Sequence, residues 1–473
     1  MSTDRNAVIV ALTMSVIHGF SKGLNMPKHV QLLAVLTALL LALAPISAHA
    51  QQIRLITDAE TQTMIEDFAR PLLKAAGINP RNVSVNIVND RRFNAFVVES
   101  GDMYINYGTI LDSATPNELK AVLAHEIGHL AGGHLRRLRE QAQVAGQLQA
   151  ISMVLGIGVL AAASGNDQSG EVGKMVSAFI MGSSSAARNN FMAYRQSEES
   201  AADAAALKFL ERTKQSATGL TEVLNRLQRN QSSSAGAAGY LRTHPLAEDR
   251  LNQTQNRAAG SPFRNKRDSA ADIQRLEMVK AKLTGYLERT QTVLNRYPNS
   301  DKSLPARYAR AIAGYRAGAG PAAVKQMAAL ASANPSNPNL QELLGQMLFE
   351  TGQATAALQP LARAVKLAPN EIEYRLIYGA ALSDTGRAKD LNEAIIQLSR
   401  ATQMDSGSAR AFSLLSRAYG RAGRTGEADL AAAEAAFLRR DMRLARGLAK
   451  KAQQNLPQGS PAWLRADDIL ALS

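Results

Sequence analysis

The alternation of apolar and polar positions changes period several times along the chain. An almost unbroken apolar run covers Val30 to Ala44. At Thr57 the spacing turns helical: Thr57-Asp58-Ala59-Glu60 has the form of a capping box, and the helix it opens runs to about Ala76 and stops at Gly77. Val83, Val85 and Ile87 then alternate as a half-buried strand does. Phe93 to Val98 and Met103 to Tyr107 predict two more strands, turned at Glu99-Ser100-Gly101-Asp102, so that a small antiparallel sheet forms. Helical spacing returns at Thr115 to His134. There Thr115 and Glu118 make a second capping box, Pro116 takes the first helical position, and Leu119, Val122 and Leu123 give an apolar side. Ile151 to Ala163 and Val172 to Met181 are apolar stretches separated by polar Ser164 to Gly170, and both fall short of a bilayer span. They read as helices packed into a core, or as helices in peripheral contact with a membrane. Tyr194 to Ala206 is again rich in helix formers.

Beyond a polar, basic stretch at Ser261 to Arg267 and a helical segment from Asp268 to about Leu294, the pattern repeats. Gly318, Gly352 and Gly386 stand 34 apart, and Gly423 follows after 37. The clearest unit, Pro338 to Glu371, places Leu344, Gly345 and Leu348 in a first helix, Ala357, Leu361 and Ala364 in a second, and Pro369 at its end. Ala323/Pro335, Gly379/Ala394/Ala401 and Tyr419/Ala428 fall in the same places, with Lys389 to Leu391 marking a three-residue insertion in a loop. A last helix carrying Ala445, Ala449 and Ala452, closed by Pro457, caps the stack. A 34-residue helix pair with small residues at the crossing is the tetratricopeptide repeat, whose solenoid offers a concave face to proteins or peptides. The predicted class is mostly α: an α+β domain with a small antiparallel sheet, then an all-α tetratricopeptide solenoid. Boundaries fall at 1–50, 51–260, 261–304 (a linker and connecting helix) and 305–473.

Composition changes the picture at the N-terminus. Lys28 and His29 before the apolar run, and Ala48-His49-Ala50 after it, are the parts of a secretory signal peptide cleaved after Ala50, which makes Met26 a candidate start. With no cysteine there are no disulfides, and none is present to carry a lipid after cleavage. Net charge is +14, and +12 once Asp4, Arg5, Lys22 and Lys28 leave with the first 50 residues. In an exported protein that excess reads as an ordinary solvated surface, or as attraction to anionic envelope surfaces and acidic partners. Nucleic acid is not an expected partner, because the charge is dispersed, aromatics are 5% and export removes the usual target.

Candidate chemistry concentrates in His125-Glu126-Ile127-Gly128-His129, an HExxH motif. Two histidines four apart lie on one helix face, so both imidazoles reach one metal ion while Glu126 stands beside them as general base. A hydrolytic zinc ion takes three protein ligands and leaves one position for water. Glu199 supplies the third on this reading, with Asp203 one turn on to accept the second N–H of a ligand histidine. A solvated acidic face is the alternative, but the surrounding alanines point to burial, and buried carboxylates need partners. His134 stands one residue early for an HExxHxxGxxH site, where Leu135 holds the last position, and is read as a non-ligand. The expected cofactor is one Zn2+ per chain. Asn94-Ala95-Phe96 reads as an edge strand that holds a peptide by strand addition, or as a plain hairpin.

HEIGH followed by the E-x-x-A-D of Glu199 to Asp203 resembles the HtpX-like gluzincin metalloproteases, over about residues 55–255. With its signal peptide and repeats the chain is most similar to their periplasmic BepA-like branch. The resemblance implies zinc on His125, His129 and Glu199, with Glu126 as base. It also implies a periplasmic zinc metalloendopeptidase in outer-membrane protein quality control and assembly. Unfolded or misassembled envelope proteins would be its substrates, and further protein partners would be held by the repeats. His244-Pro245 followed by Arg250 resembles a family loop that closes over the zinc. Ser232 to Gly239 before it is built of small residues, so the loop can swing. His244 is then a latch on the fourth position, a transition-state stabiliser, or an ordinary histidine. Arg195 departs from the pattern, four residues before Glu199 where the family often has three, and is left without a role. The rival to a protease is a chaperone-like assembly scaffold whose zinc site is mostly closed and whose repeats do the main job.

Overall fold

The computed structural model describes residues 54–472 apart from 99, 135, 138–139, 141–191, 230–239, 242–243 and 247. The expected signal peptide, the two apolar stretches within 151–181 and the small-residue stretch 232–239 lie outside the described residues. Two compact units divide the chain. The first contains Leu55, Ala69–Thr109 and Asn117–Arg267; the second contains Ile56–Phe68, Ile110–Pro116 and Asp268–Ser473.

In chain order the elements begin with strand β1 (Leu55–Ile56), helix α1 (Ala59–Ala75), strands β2 (Val85–Val88), β3 (Ala95–Val97) and β4 (Met103–Asn106), and helices α2 (Tyr107–Asp112) and α3 (Pro116–Gly132). Helix α4 covers 192–212, followed by α5 (Thr218–Arg229) and α6 (Glu248–Gly260). The cap of α1 is Asp58, one residue later than the pattern predicts: its carboxylate accepts from the Thr61 N–H at 2.9 Å. Gly77, at φ 78°, ends the turn as expected.

The sheet is mixed rather than wholly antiparallel, in the order β1-β2-β4-β3. β3 and β4 form the expected antiparallel hairpin, but β4 enters between β3 and β2 and runs parallel to β2. The central place suits β4, whose Met103 and Ile105 are both fully buried. β3 is left at the edge. Helix α3 is almost wholly interior, with Leu119, Leu123 and Ile127 inaccessible to solvent. Its start is tied down by Asn117, which accepts from the Gly219 N–H at 2.9 Å and donates to the Ser216 carbonyl at 2.8 Å.

The second unit is a stack of antiparallel helix pairs. These are α7 (Ala270–Leu287) with α8 (Thr290–Arg296), α9 (Leu304–Arg316) with α10 (Gly320–Ala333), α11 (Pro338–Glu350) with α12 (Ala354–Leu367), α13 (Ile372–Asp384) with α14 (Ala388–Met404), α15 (Ala409–Arg421) with α16 (Thr425–Leu438), and α17 (Met442–Asn455) with α18 (Pro461–Leu472). The four phased glycines have one cause. Gly318, Gly352, Gly386 and Gly423 all take positive φ, between 69° and 87°, in the turn inside each pair. Gly345 and Gly379, also 34 apart, mark the helix crossings: a Cβ there would lie 2.4 Å from Leu361 and 2.5 Å from Leu398. The three-residue insertion is not in a loop. It lengthens α14 to 17 residues, against 14 in α12. Nor does α17 end the stack, since α18 buries Ala466 and Ile469 against it. The connecting helix α7 belongs to the repeat core, its Met278 and Ala281 packing with Ala306 and Tyr308. No described helix is long and apolar enough to cross a membrane.

Candidate metal centre

Three elements of the first unit bring their polar side chains to one point. Helix α3 presents His125 and His129, α4 presents Glu199 and Asp203, and the segment before α6 presents His244. The ligand atoms of His125, His129, Glu199 and His244 all lie within 4.8 Å of one another, and all four residues are buried. His125 Nε2 and His129 Nε2 are 3.0 Å apart. Glu199 Oε1 is 3.2 Å from His129 Nε2 and 3.0 Å from His244 Nδ1, and His125 Nε2 is 3.4 Å from His244 Nδ1. A tetrahedral site with bonds of about 2.0–2.1 Å has edges of about 3.3 Å, so the spacing fits a four-coordinate metal ion.

Electrostatics favour positive charge at this point. Burial opposes a charged imidazole, yet Asp203 and Glu199 outweigh it at His125 and hold its pKa up at about 10. At His129 burial wins and the pKa falls to about 3. For Glu199, burial is outweighed by His244, His125 and His129, which hold the carboxylate below its ordinary range. Glu126 is different. Burial pushes its carboxyl up, and neither oxygen has a hydrogen-bond partner among the described residues. The His244 Nε2, also without a hydrogen-bond partner among the described residues, lies 3.7 Å from Glu126 Oε1.

Each face of the cluster is braced. Asp203 Oδ1 accepts from His125 Nδ1 at 2.8 Å, which leaves Nε2 as the ring nitrogen turned toward the cluster. Arg250 ties α6 to α4, donating from Nη1 to Glu199 at 2.8 Å, from Nη2 to Asp203 at 3.0 Å, and from Nε to the same carboxylate. Tyr240 stacks on the His244 ring at 4.4 Å, its carbonyl accepts the His244 N–H at 2.7 Å, and Phe93 packs edge-on against it. Ala95 and Phe96 lie in edge strand β3 and Asn94 just precedes it; Phe96 stacks on Tyr104 of β4 at 5.1 Å.

His134 is outside the ligand group but not outside the site. Gly133, at φ 65°, turns the chain back, and the ring seats over Gly132, where a Cβ would lie 2.1 Å from His134 Nε2. His134 Nδ1 is 2.9 Å from His129 Nδ1, and its Nε2 is 2.9 Å from Glu198 Oε2. Arg137 in turn donates to both oxygens of Glu198. With His129 donating through Nδ1, this chain leaves its Nε2 free to face Glu199. Tyr240 and the His134–Glu198–Arg137 chain were not identified as parts of the site from the sequence. The signal for the second was the Gly132-Gly133-His134 run.

Residues 56–258 match the profile of Peptidase family M48. This stretch is an M48 peptidase domain. Its buried His-His-Glu-His group is compatible with a metalloprotease. The beta-barrel assembly-enhancing protease of Escherichia coli (strain K12) is 24% identical over 289 residues, 60% of this chain and 58% of that one. The Yersinia pestis protein of the same name is 27% identical over 172 residues, 36% of this chain and 34% of that one. The chain thus spans less than two thirds of the length of these relatives and resembles them at modest identity. Among solved structures, YrrB, a TPR protein with an unusual peptide-binding site, aligns over 37% of this chain and 91% of its own, at 26% identity and a TM-score of 0.32.

Proposed function

We propose that the chain is a periplasmic zinc-dependent metalloendopeptidase that degrades misfolded envelope proteins in outer-membrane protein quality control and assembly, with its repeats holding protein partners. One observation carries the reading: two imidazoles and a carboxylate converge beside Glu126, a buried carboxyl with no hydrogen-bond partner among the described residues. Borderline-soft nitrogen and oxygen donors in a tetrahedral arrangement suit zinc. His125, His129 and Glu199 would hold it, and when bound it would polarise the scissile carbonyl and acidify a water. Burial raises the Glu126 carboxyl, and as general base it would take a proton from a water beside it and return that proton to the leaving amine. Edge strand β3 accepts the substrate as an added strand through Asn94, Ala95 and Phe96. His244, at the fourth corner, is the latch of a resting enzyme. It moves aside when substrate enters, with Arg250 fixing α6 and the ligand helix. The name shared by the relatives supports the assembly role, and the signal-peptide pattern read in the sequence before Gln51 supports the location.

The closed fourth corner favours a second reading, an assembly scaffold whose proteolysis is incidental. The experiment that separates the two uses the purified chain, an unfolded outer-membrane β-barrel protein and a chelator. Zinc near one per chain, cleavage that stops on metal removal, and recovery with added Zn2+ are expected. Equal cleavage by the metal-free chain would reject the metallopeptidase.

The His134 chain makes its own prediction. Replacing a group that orients a ligand histidine weakens metal binding by about 10–100-fold. His134→Phe is therefore expected to lose zinc to a competing chelator at correspondingly lower concentration. His134→Asn, whose side-chain oxygen can still accept from His129, is expected to lose less. Unchanged zinc affinity in the phenylalanine variant would return His134 to a packing role.

A further inference from the structure

The second unit holds a cavity of about 310 Å3 whose lining belongs to that unit alone, from the residues that open α1 to helices α7, α11, α13 and α15. Its charges are matched, with one exception. Lys282 is buried, with Nζ 2.5 Å from Asp58 and 3.4 Å from Glu60. Glu60 also accepts from the Tyr308 hydroxyl at 3.0 Å. Arg410 is ion-paired with Glu373. Glu342 remains. It is 9% exposed, lines the cavity, and has no hydrogen-bond or ion-pair partner among the described residues. Burial pushes its carboxyl up to about 7; Lys282 pulls it back, while Asp58, Glu60 and Glu373 push it further. A buried carboxylate is kept at such a cost only where something can satisfy it.

The chemistry of the walls narrows what that something is. Both cations facing the cavity already have carboxylates, so an anion gains nothing there. A metal ion needs several converging ligands, and the group around His125 is the only such cluster among the described residues. Tyr286, Tyr374, Leu283 and Ile377 supply apolar and aromatic surface around the single unmatched charge, which fits a cation on an aliphatic stem. We infer that the cavity is a binding site for a lysine or arginine side chain of an extended polypeptide, taken by Glu342. Its volume lies at the small end of ligand sites, which suits one side chain with its flanking backbone.

Fluorescein-labelled glycine–serine peptides with one central lysine, arginine or norleucine test this against the full-length chain. Binding is read by anisotropy and peptide integrity by mass spectrometry. The lysine and arginine peptides are expected to bind at least tenfold more tightly than the norleucine peptide. Glu342→Gln, which keeps the shape and removes the charge, is expected to bring lysine down to the norleucine level with circular dichroism unchanged. Equal binding of lysine and norleucine peptides would make the cavity an apolar dock and overturn the assignment. Undiminished lysine binding by Glu342→Gln would overturn it too, as would no lysine binding to the unmodified chain at millimolar peptide.

Discussion

The Glu126→Gln variant is expected to lose cleavage of an unfolded substrate by about 10²–10⁴-fold, the worth of a positioned general base, while still binding zinc at the proposed site. The separation of the two effects follows from where the carboxyl stands. Glu126 lies on the metal helix between His125 and His129, yet it is absent from the group of atoms that converge within 4.8 Å. Its oxygens have no hydrogen bond to lose among the described residues, so an amide of the same shape leaves the neighbouring rings where they are. Stability should stay within about 0.5–1 kcal/mol of the parent, since neither the carboxyl nor the amide finds a partner there. Three measurements on one preparation check this: proteolysis, zinc content and melting temperature. Cleavage within tenfold of the parent would remove Glu126 from the mechanism. Loss of zinc together with activity would make it a ligand. The same variant discriminates between protease and scaffold in cells: rescue of an envelope defect by Glu126→Gln would put binding first.

How far the chain could be read in advance depends on how local each feature is. The i, i+4 pairs His125/His129 and Glu199/Asp203 were legible because helical geometry alone puts each pair on one face. The repeat phase was legible because left-handed glycines recur at fixed spacing, and Gly318, Gly352 and Gly386 take positive φ in turns 34 residues apart. Direction was not legible in the sheet. Alternation at Val85 and Ile87 tells which face is buried but not that β4 returns beside β2 in the same sense. Contacts that depend on a tertiary turn were hidden as well. His134 reaches His129 only because Gly133 reverses the chain, and an ideal helix points it elsewhere. Asp58 and Glu60 look like capping chemistry in sequence. Glu60 instead reaches Tyr308 and Lys282, more than 200 residues away, and residues 56–68 fall in the unit that holds the repeats.

The second large effect is expected at Gly128, the glycine inside HEIGH. Gly128→Ala should lower both the melting temperature and zinc affinity, and opposing forces make the sign informative. Alanine is the better helix former by about 0.8–1 kcal/mol, so in open space the substitution would stabilise α3. Space is not open here. A Cβ on Gly128 would lie 2.7 Å from the Ala202 carbonyl oxygen and 3.1 Å from its Cα. Ordinary contact begins at 3.4 Å, and the atoms in the way are backbone rather than the end of a flexible side chain. Helices α3 and α4 must part by about 0.7 Å, and overpacking of this kind costs roughly 1–3 kcal/mol, more than propensity returns. Ala202 sits between Glu199 and Asp203, so the displacement falls on the 3.2 Å and 2.8 Å contacts that bind α4 to His129 and His125. A misplacement near 1 Å can cost about 10²-fold in rate, and zinc should exchange to a chelator more readily. Gly314, in α9 with nothing within 4 Å of its would-be Cβ, is the control: Gly314→Ala should raise the melting temperature. A higher melting temperature and unchanged zinc affinity for Gly128→Ala would mean that the two helices are free to separate, and that this glycine does not set the distance between the ligands they carry.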